Sequence, residues 1–213
     1  MLKQNVENLK SSLSRQVRIV PATKTVAVDV INQLPSCGIT EAGENKVQEL
    51  LEKFDHVRGI SWHFIGNLQT NKVKYIVDKV VMIQSVDRIA LAQEIEKRCA
   101  KIDKVMDVLI EVNIGREESK GGVLVENFDE LKDFILQQKH LRLKGIMTVL
   151  PIGAPDELYK QAFELKERLH AEVADADILS CGMSDDYQKA IGFGSDMIRP
   201  GSILFGQRNY NKV

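Results

Sequence analysis

Cysteine is scarce in this 213-residue chain: Cys37, Cys99 and Cys181 stand far apart and no C-x-x-C pair occurs. An odd, scattered set of three supports neither a disulfide framework nor a zinc site. Prolines number only 5 and are spread out, and no Pro/Gly/Ser-rich stretch marks a linker, so one domain over 1–213 is expected. An excess of either charge is also missing. Lys plus Arg total 29 against 30 Asp plus Glu, and without a basic excess nothing predicts a nucleic-acid partner. No apolar run reaches the roughly 18 residues that read as a membrane span. The first ten residues are polar rather than signal-like, so a reduced cytoplasmic protein is expected. No second His, Cys or carboxylate stands at ligand spacing from His63, and no metal is expected.

What is present is alternation. Short apolar runs at 18–24, 39–43, 61–66, 80–85, 106–113, 142–149, 177–183 and 196–205 read as strands. Between them lie amphipathic stretches of helical period. In Asp156–Glu172, for instance, Leu158, Ala162, Leu165 and Leu169 form one stripe, and Ile89, Ala92, Ile95 and Cys99 form another over 87–100. Asp87 and Asp129 read as helix-start residues. Eight strands with a helical segment between each neighbouring pair predict a parallel (β/α)8 TIM barrel, preceded by an extra N-terminal helix over 6–13.

In such a barrel the chemistry gathers at the C-terminal ends of the strands. Lys24 would end the first strand, Asn45 follow the second, Met147 close the sixth, Ser184 follow the seventh and Arg199 lie on the eighth, beside the Gly201-Ser202 turn. An amine that burial or a neighbouring cation makes less basic can attack an aldehyde. Small residues and hydroxyls in Gly182-Met183-Ser184 and Gly201-Ser202 suit a phosphate, and an arginine beside a pyridine nitrogen disfavours protonation there. Amine, arginine and anion-binding turn together suggest a cofactor with both an aldehyde and a phosphate. Each feature also has a plain reading. Lys24 can snorkel into water, Arg199 can pair inside the barrel, and Gly201-Ser202 can be an ordinary turn. Asp185 and Asp186 would repel a phosphate unless they point away. His63, alone in an apolar strand, reads as a hydrogen-bonded core residue. The run Glu117-Glu118-Ser119-Lys120-Gly121-Gly122 reads as a surface loop.

The segments Ala22-Thr23-Lys24-Thr25, Gly43-Glu44-Asn45, Trp62-His63-Phe64-Ile65-Gly66-Asn67-Leu68-Gln69, Ser85-Val86-Asp87-Arg88, Gly145-Ile146-Met147-Thr148 and Gly182-Met183-Ser184-Asp185-Asp186 follow one another over nearly the whole chain. In that order they resemble the pyridoxal phosphate homeostasis proteins. The resemblance implies the alanine-racemase-type barrel (PLP fold type III) without the racemase's second domain, and pyridoxal 5′-phosphate as cofactor. It implies that Lys24 holds the cofactor as an aldimine, with Asn45 beside the ring and Met147 in the pocket. Arg199 would face the ring nitrogen, and Ser184, Gly201 and Ser202 would hold the phosphate. Ala42, Lys46 and Gly121 depart from the family's common Phe, Tyr and Phe, and Arg199-Pro200-Gly201 is closer to the racemase spelling.

The implied function is intracellular vitamin B6 homeostasis by a monomer with no catalytic residue of its own, passing cofactor to PLP-dependent apoenzymes. Two alternatives stand beside it. An amino-acid racemase needs a second base, for which Tyr75, Tyr159, Tyr187 and Tyr210 offer no evident candidate, and a further domain for which the 213 residues leave no room. A cofactor-free, aldolase-type lysine barrel would show no chromophore.

Overall fold

The computed structural model describes residues 1–117 and 119–206. Eight strands are found: β1 (Arg18–Ile19), β2 (Glu41–Glu44), β3 (Ser61–Phe64), β4 (Val80–Val86), β5 (Met106–Glu111), β6 (Leu141–Met147), β7 (Ile178–Ser180) and β8 (Met197–Ile198). They form one sheet in the order β1-β8-β7-β6-β5-β4-β3-β2, with every pairing parallel. The two ends of that order meet at Gly43. Its N–H donates to the Pro21 carbonyl at 2.8 Å, and its carbonyl accepts from the Thr23 N–H at 2.9 Å. Those bonds close the expected barrel.

Around it lie α1 (Leu2–Ser11), α2 (Val28–Ile31), α3 (Val47–Phe54), α4 (Ile89–Ala100), α5 (Phe128–Leu136), α6 (Asp156–Glu172), α7 (Tyr187–Gly192) and α8 (Ser202–Phe205). In α6, Tyr159, Ala162, Leu165 and Leu169 are buried against the sheet. Asp156 and Glu157 in its first turn, with His170 in its last, complement the helix dipole. The N-terminal helix begins earlier than its apolar pattern suggests, at Leu2, and packs on α8, where Asn5 Nδ2 donates to the Leu204 carbonyl at 2.9 Å.

Four expectations are corrected. The stretch 196–205 is not one strand: Pro200 has no N–H for a ladder, and Ser202–Phe205 coils into a helical turn. Only Arg18 and Ile19 of 18–24 form a regular ladder, and beyond them single bonds carry the pairing, such as Ala22 N–H to the Pro200 carbonyl at 2.9 Å. Full helices do not fill every crossover. Between β3 and β4 there is only the 3-10 turn Thr70–Tyr75, and between β1 and β2 the short α2 and the 3-10 turn Pro35–Cys37. Asp87 lies just ahead of α4, whose cap position is held by extended Arg88.

Alternation along each strand splits the apolar residues between two cores. One set, including Trp62, Phe64, Ile83, Val108, Ile110 and Leu179, faces the helices. The other, Val20, Met82, Leu109, Met147, Ile178 and Met197, points inward and fills the barrel. A ligand therefore cannot enter the barrel axis and must sit above this plug.

Candidate ligand site at the barrel mouth

Above the plug a cavity of about 440 Å³ opens at the C-terminal ends of the strands, within the usual range for small-molecule sites. Lys24, Asn45, Ser184, Arg199, Gly201 and Ser202 all line it, together with Ala22, Ile65, Val149, Met183 and Asp185. Met147 is placed differently. It is fully buried in the plug beneath, and Val149, two residues on and on the same strand face, reaches the cavity in its stead.

Lys24 sits in a tight turn whose next residue, Thr25, has φ of +61°. The backbone on both sides is clamped. Thr25 N–H donates to Glu49 Oε2 at 2.7 Å, and Lys53 Nζ donates to the Thr23 carbonyl at 2.9 Å. Lys53 Nζ also meets Glu44 Oε1 at 2.7 Å, and the Thr23 hydroxyl donates to the same oxygen at 2.6 Å. Burial pushes the Glu44 carboxyl up, against the pull of Lys53 and Thr23. Glu49 is also partly desolvated, but the Thr25 N–H and Lys53 outweigh this and hold it below the usual range.

Asn45 is fixed by close approach. A Cβ on Gly66 would lie 2.2 Å from the Asn45 carbonyl oxygen, so only glycine fits at the end of β3. Asn45 Oδ1 is buried and has no hydrogen-bond partner among the described residues. Such an atom is costly unless a ligand satisfies it.

Arg199 is 3 % exposed, yet among the described residues it forms no ion pair. Its Nη1 donates to Ser180 Oγ at 2.6 Å and its Nη2 to the Thr148 carbonyl at 2.9 Å. Burial works against its charge, and Glu111 is among the groups that offset this. Glu111 is itself raised to about 7, by burial first and then by Asp87, with Arg199 pulling the other way.

Ser184 Oγ accepts from the N–H groups of Gly201 at 2.9 Å and Ile203 at 3.2 Å, tying the loop after β7 to the turn after β8. Asp186 points away from the cavity: its carboxylate accepts from Met183 N–H at 2.6 Å and Tyr159 hydroxyl at 2.9 Å. Asp185 remains on the lining. His63 is fully buried and hydrogen-bonded, as its apolar strand predicts. Lys120 is absent from this lining and lies 3.8 Å from Glu117 Oε2, and Glu118 of the same loop is outside the described residues.

Gln84, Ser180 and Lys53 were not evident as site residues from the sequence. Each left a faint mark: a glutamine inside Met82-Ile83-Gln84-Ser85-Val86, a serine inside Ile178-Leu179-Ser180-Cys181, and a lysine three residues after Leu50 on the apolar face of α3.

This closed parallel barrel falls in the class of the alanine racemase N-terminal domain, whose family model matches residues 1–209. Within that class, the chain belongs to the pyridoxal phosphate homeostasis protein family. It is 44% identical to the member from Aquifex aeolicus over 200 residues, 91% of this chain and 88% of that protein. The Escherichia coli K12 member is 34% identical over 92% of this chain and 88% of its own length. The structure of PipY from Synechococcus elongatus with PLP bound superposes with a TM-score of 0.87 at 25% identity, covering 97% of this chain and 100% of that one. Clostridium difficile alanine racemase shares the fold, with a TM-score of 0.82 at 17% identity, and this chain covers 61% of it.

Proposed function

We propose that this protein binds pyridoxal 5′-phosphate covalently through Lys24 and serves intracellular vitamin B6 homeostasis. In this reading it is a monomeric cytoplasmic carrier with little or no turnover, supplying PLP-dependent apoenzymes. The observation that carries the reading is the convergence of Lys24 and Arg199 from neighbouring strands on one cavity, with a buried Asn45 oxygen, unpartnered among the described residues, brought there by β2 on the other side of β1. The relatives bear the matching name, and PipY's structure contains the same cofactor.

When bound, the cofactor supplies an aldehyde that condenses with a primary amine, with loss of water. The residues divide the work of holding it. Lys24 presents Nζ from a turn clamped at Thr23 and Thr25, so little ordering remains to be done on capture. Asn45 Oδ1 would accept a hydrogen bond from a polar substituent of the ring. Arg199, which cannot give up its proton, would lie toward the ring nitrogen and disfavour its protonation, weakening the ring as an electron sink. Ser184, Gly201 and Ser202 would hold the phosphate. The tyrosines support the carrier reading. Tyr159 is committed to Asp186, the hydroxyl of Tyr187 lies 2.9 Å from Ser12 Oγ, Tyr75 is exposed, and none of these three lines the cavity. Tyr210 lies outside the described residues.

Purified protein loaded with pyridoxal 5′-phosphate is expected to be yellow, to lose that colour on borohydride reduction, and to carry a pyridoxyl adduct on Lys24 by peptide mass mapping. A protein that takes up no cofactor refutes the reading. Rapid proton exchange at the Cα of any amino acid would overturn the carrier role in favour of an enzyme.

A further inference from the structure

A single file of hydrogen bonds crosses the filled barrel from the mouth to the opposite rim. Arg199 Nη1 donates to Ser180 Oγ at 2.6 Å, and Ser180 Oγ donates to Gln84 Oε1 at 2.7 Å. Gln84 Nε2 lies 2.9 Å from His63 Nδ1, and His63 Nε2 lies 3.3 Å from Glu41 Oε1. Glu41, at the start of β2, is paired there with Arg18 from the start of β1. Ser180, Gln84 and His63 have no exposed surface.

The two ends dictate the polarity of the whole file. A guanidinium can only donate and a carboxylate can only accept. Burial raises the Glu41 carboxyl, but the hydrogen bonds from His63 and Arg18, with the Arg18 charge, outweigh it and bring it down to about 2. Glu41 is therefore an acceptor, and the proton facing it sits on His63 Nε2. Gln84 turns its NH₂ toward His63 Nδ1 and its carbonyl oxygen toward the Ser180 hydroxyl, so Nδ1 is the accepting nitrogen. That oxygen takes the Ser180 hydroxyl proton, which leaves a serine lone pair free for Arg199. Reversing any member sets donor against donor or acceptor against acceptor among groups with no exposed surface, at a cost of about 1–3 kcal/mol.

We propose that Gln84 and Ser180 are positioning residues for cofactor binding, holding the Arg199 guanidinium in the orientation that meets the ring nitrogen, with the direction of the file set from the far rim by Glu41 through His63. The proposal rests on pyridoxal 5′-phosphate being the ligand. With Nη1 committed to Ser180 and Nη2 to the Thr148 carbonyl, the guanidinium plane is fixed where it lines the cavity.

The test loads wild type, Ser180→Ala, Gln84→Leu and Gln84→Glu with pyridoxal 5′-phosphate labelled with ¹⁵N in its ring. It reads both the dissociation constant and the ring ¹⁵N resonance. Ser180→Ala and Gln84→Leu are expected to weaken binding about tenfold, as for one charge-assisted hydrogen bond, and to move the ring resonance. Gln84→Glu keeps an acceptor toward Ser180 and is expected to restore both values. A purely structural role lowers the melting temperature but leaves the resonance of bound cofactor in place, and that result overturns the proposal. If Ser180→Ala and Gln84→Leu take up no cofactor, recovery in Gln84→Glu supports the proposal and continued loss overturns it. Wild type that takes up none refutes the binding reading itself, a different outcome from wild type and variants that bind alike.

Discussion

Lys53 Nζ reaches the carbonyl of Thr23 at 2.9 Å, so a lysine from α3 holds the residue directly ahead of Lys24. The same ammonium neutralises Glu44, which has no exposed surface. Lys53→Met leaves that carboxylate buried and unpaired, and the expected loss is about 3–5 kcal/mol, measured by urea unfolding. The double variant Lys53→Met/Glu44→Leu should recover most of it. A single-variant loss below about 1 kcal/mol would mean that the pair does not brace the turn.

Glu111 makes stability depend on pH in a definite direction. Its carboxyl stands at about 7 in the folded protein against 4.5 ordinarily. Between those values the folded state holds a proton that the unfolded chain has released, so stability falls as pH rises. Its contribution is complete below about 4.5 and is lost as pH passes through about 7. Glu111→Gln removes this dependence. Relative to wild type, the variant should gain about 3 kcal/mol between pH 4.5 and pH 8, read as the difference in unfolding free energy. A pH-independent difference would show an ordinary carboxyl.

Met147 belongs to the plug rather than to the cavity lining. Met147→Ala should cost about 2–5 kcal/mol in unfolding free energy through the void it leaves. Cofactor affinity should stay within about threefold, a shift below 1 kcal/mol. Loss of binding without loss of stability would put Met147 in the site after all.

Lys24→Ala should abolish the borohydride-stable adduct while keeping micromolar-range, phosphate-driven affinity, on the order of 8 kcal/mol, detectable by equilibrium dialysis. An adduct that persists in this variant would move the reactive amine elsewhere, with Lys120 the first position to map.

Legibility followed the range of the interactions. Six of the seven residues singled out from strand ends do line the cavity, because a strand's end in a barrel determines which rim its next residue joins. Met147 misled because a residue two positions earlier on the same strand face lies one layer deeper. The overlong eighth strand misled because Ile203, Leu204 and Phe205 are as apolar as a strand, while Pro200 had already ended the ladder.

The order of residues along the chain was enough to determine the eight strands, the parallel closed sheet and the rim that gathers Lys24, Asn45, Ser184 and Arg199, since periodicity and turn chemistry are local. Only the tertiary structure decided that Ser180 meets Gln84 across 96 positions and that Gln84 meets His63 across 21. It alone also placed Lys53 under Thr23. Those contacts depend on the stagger between strands and on how deep each inward side chain lies in the barrel. Both are set by the packing of all eight strands at once, and no single segment carries them.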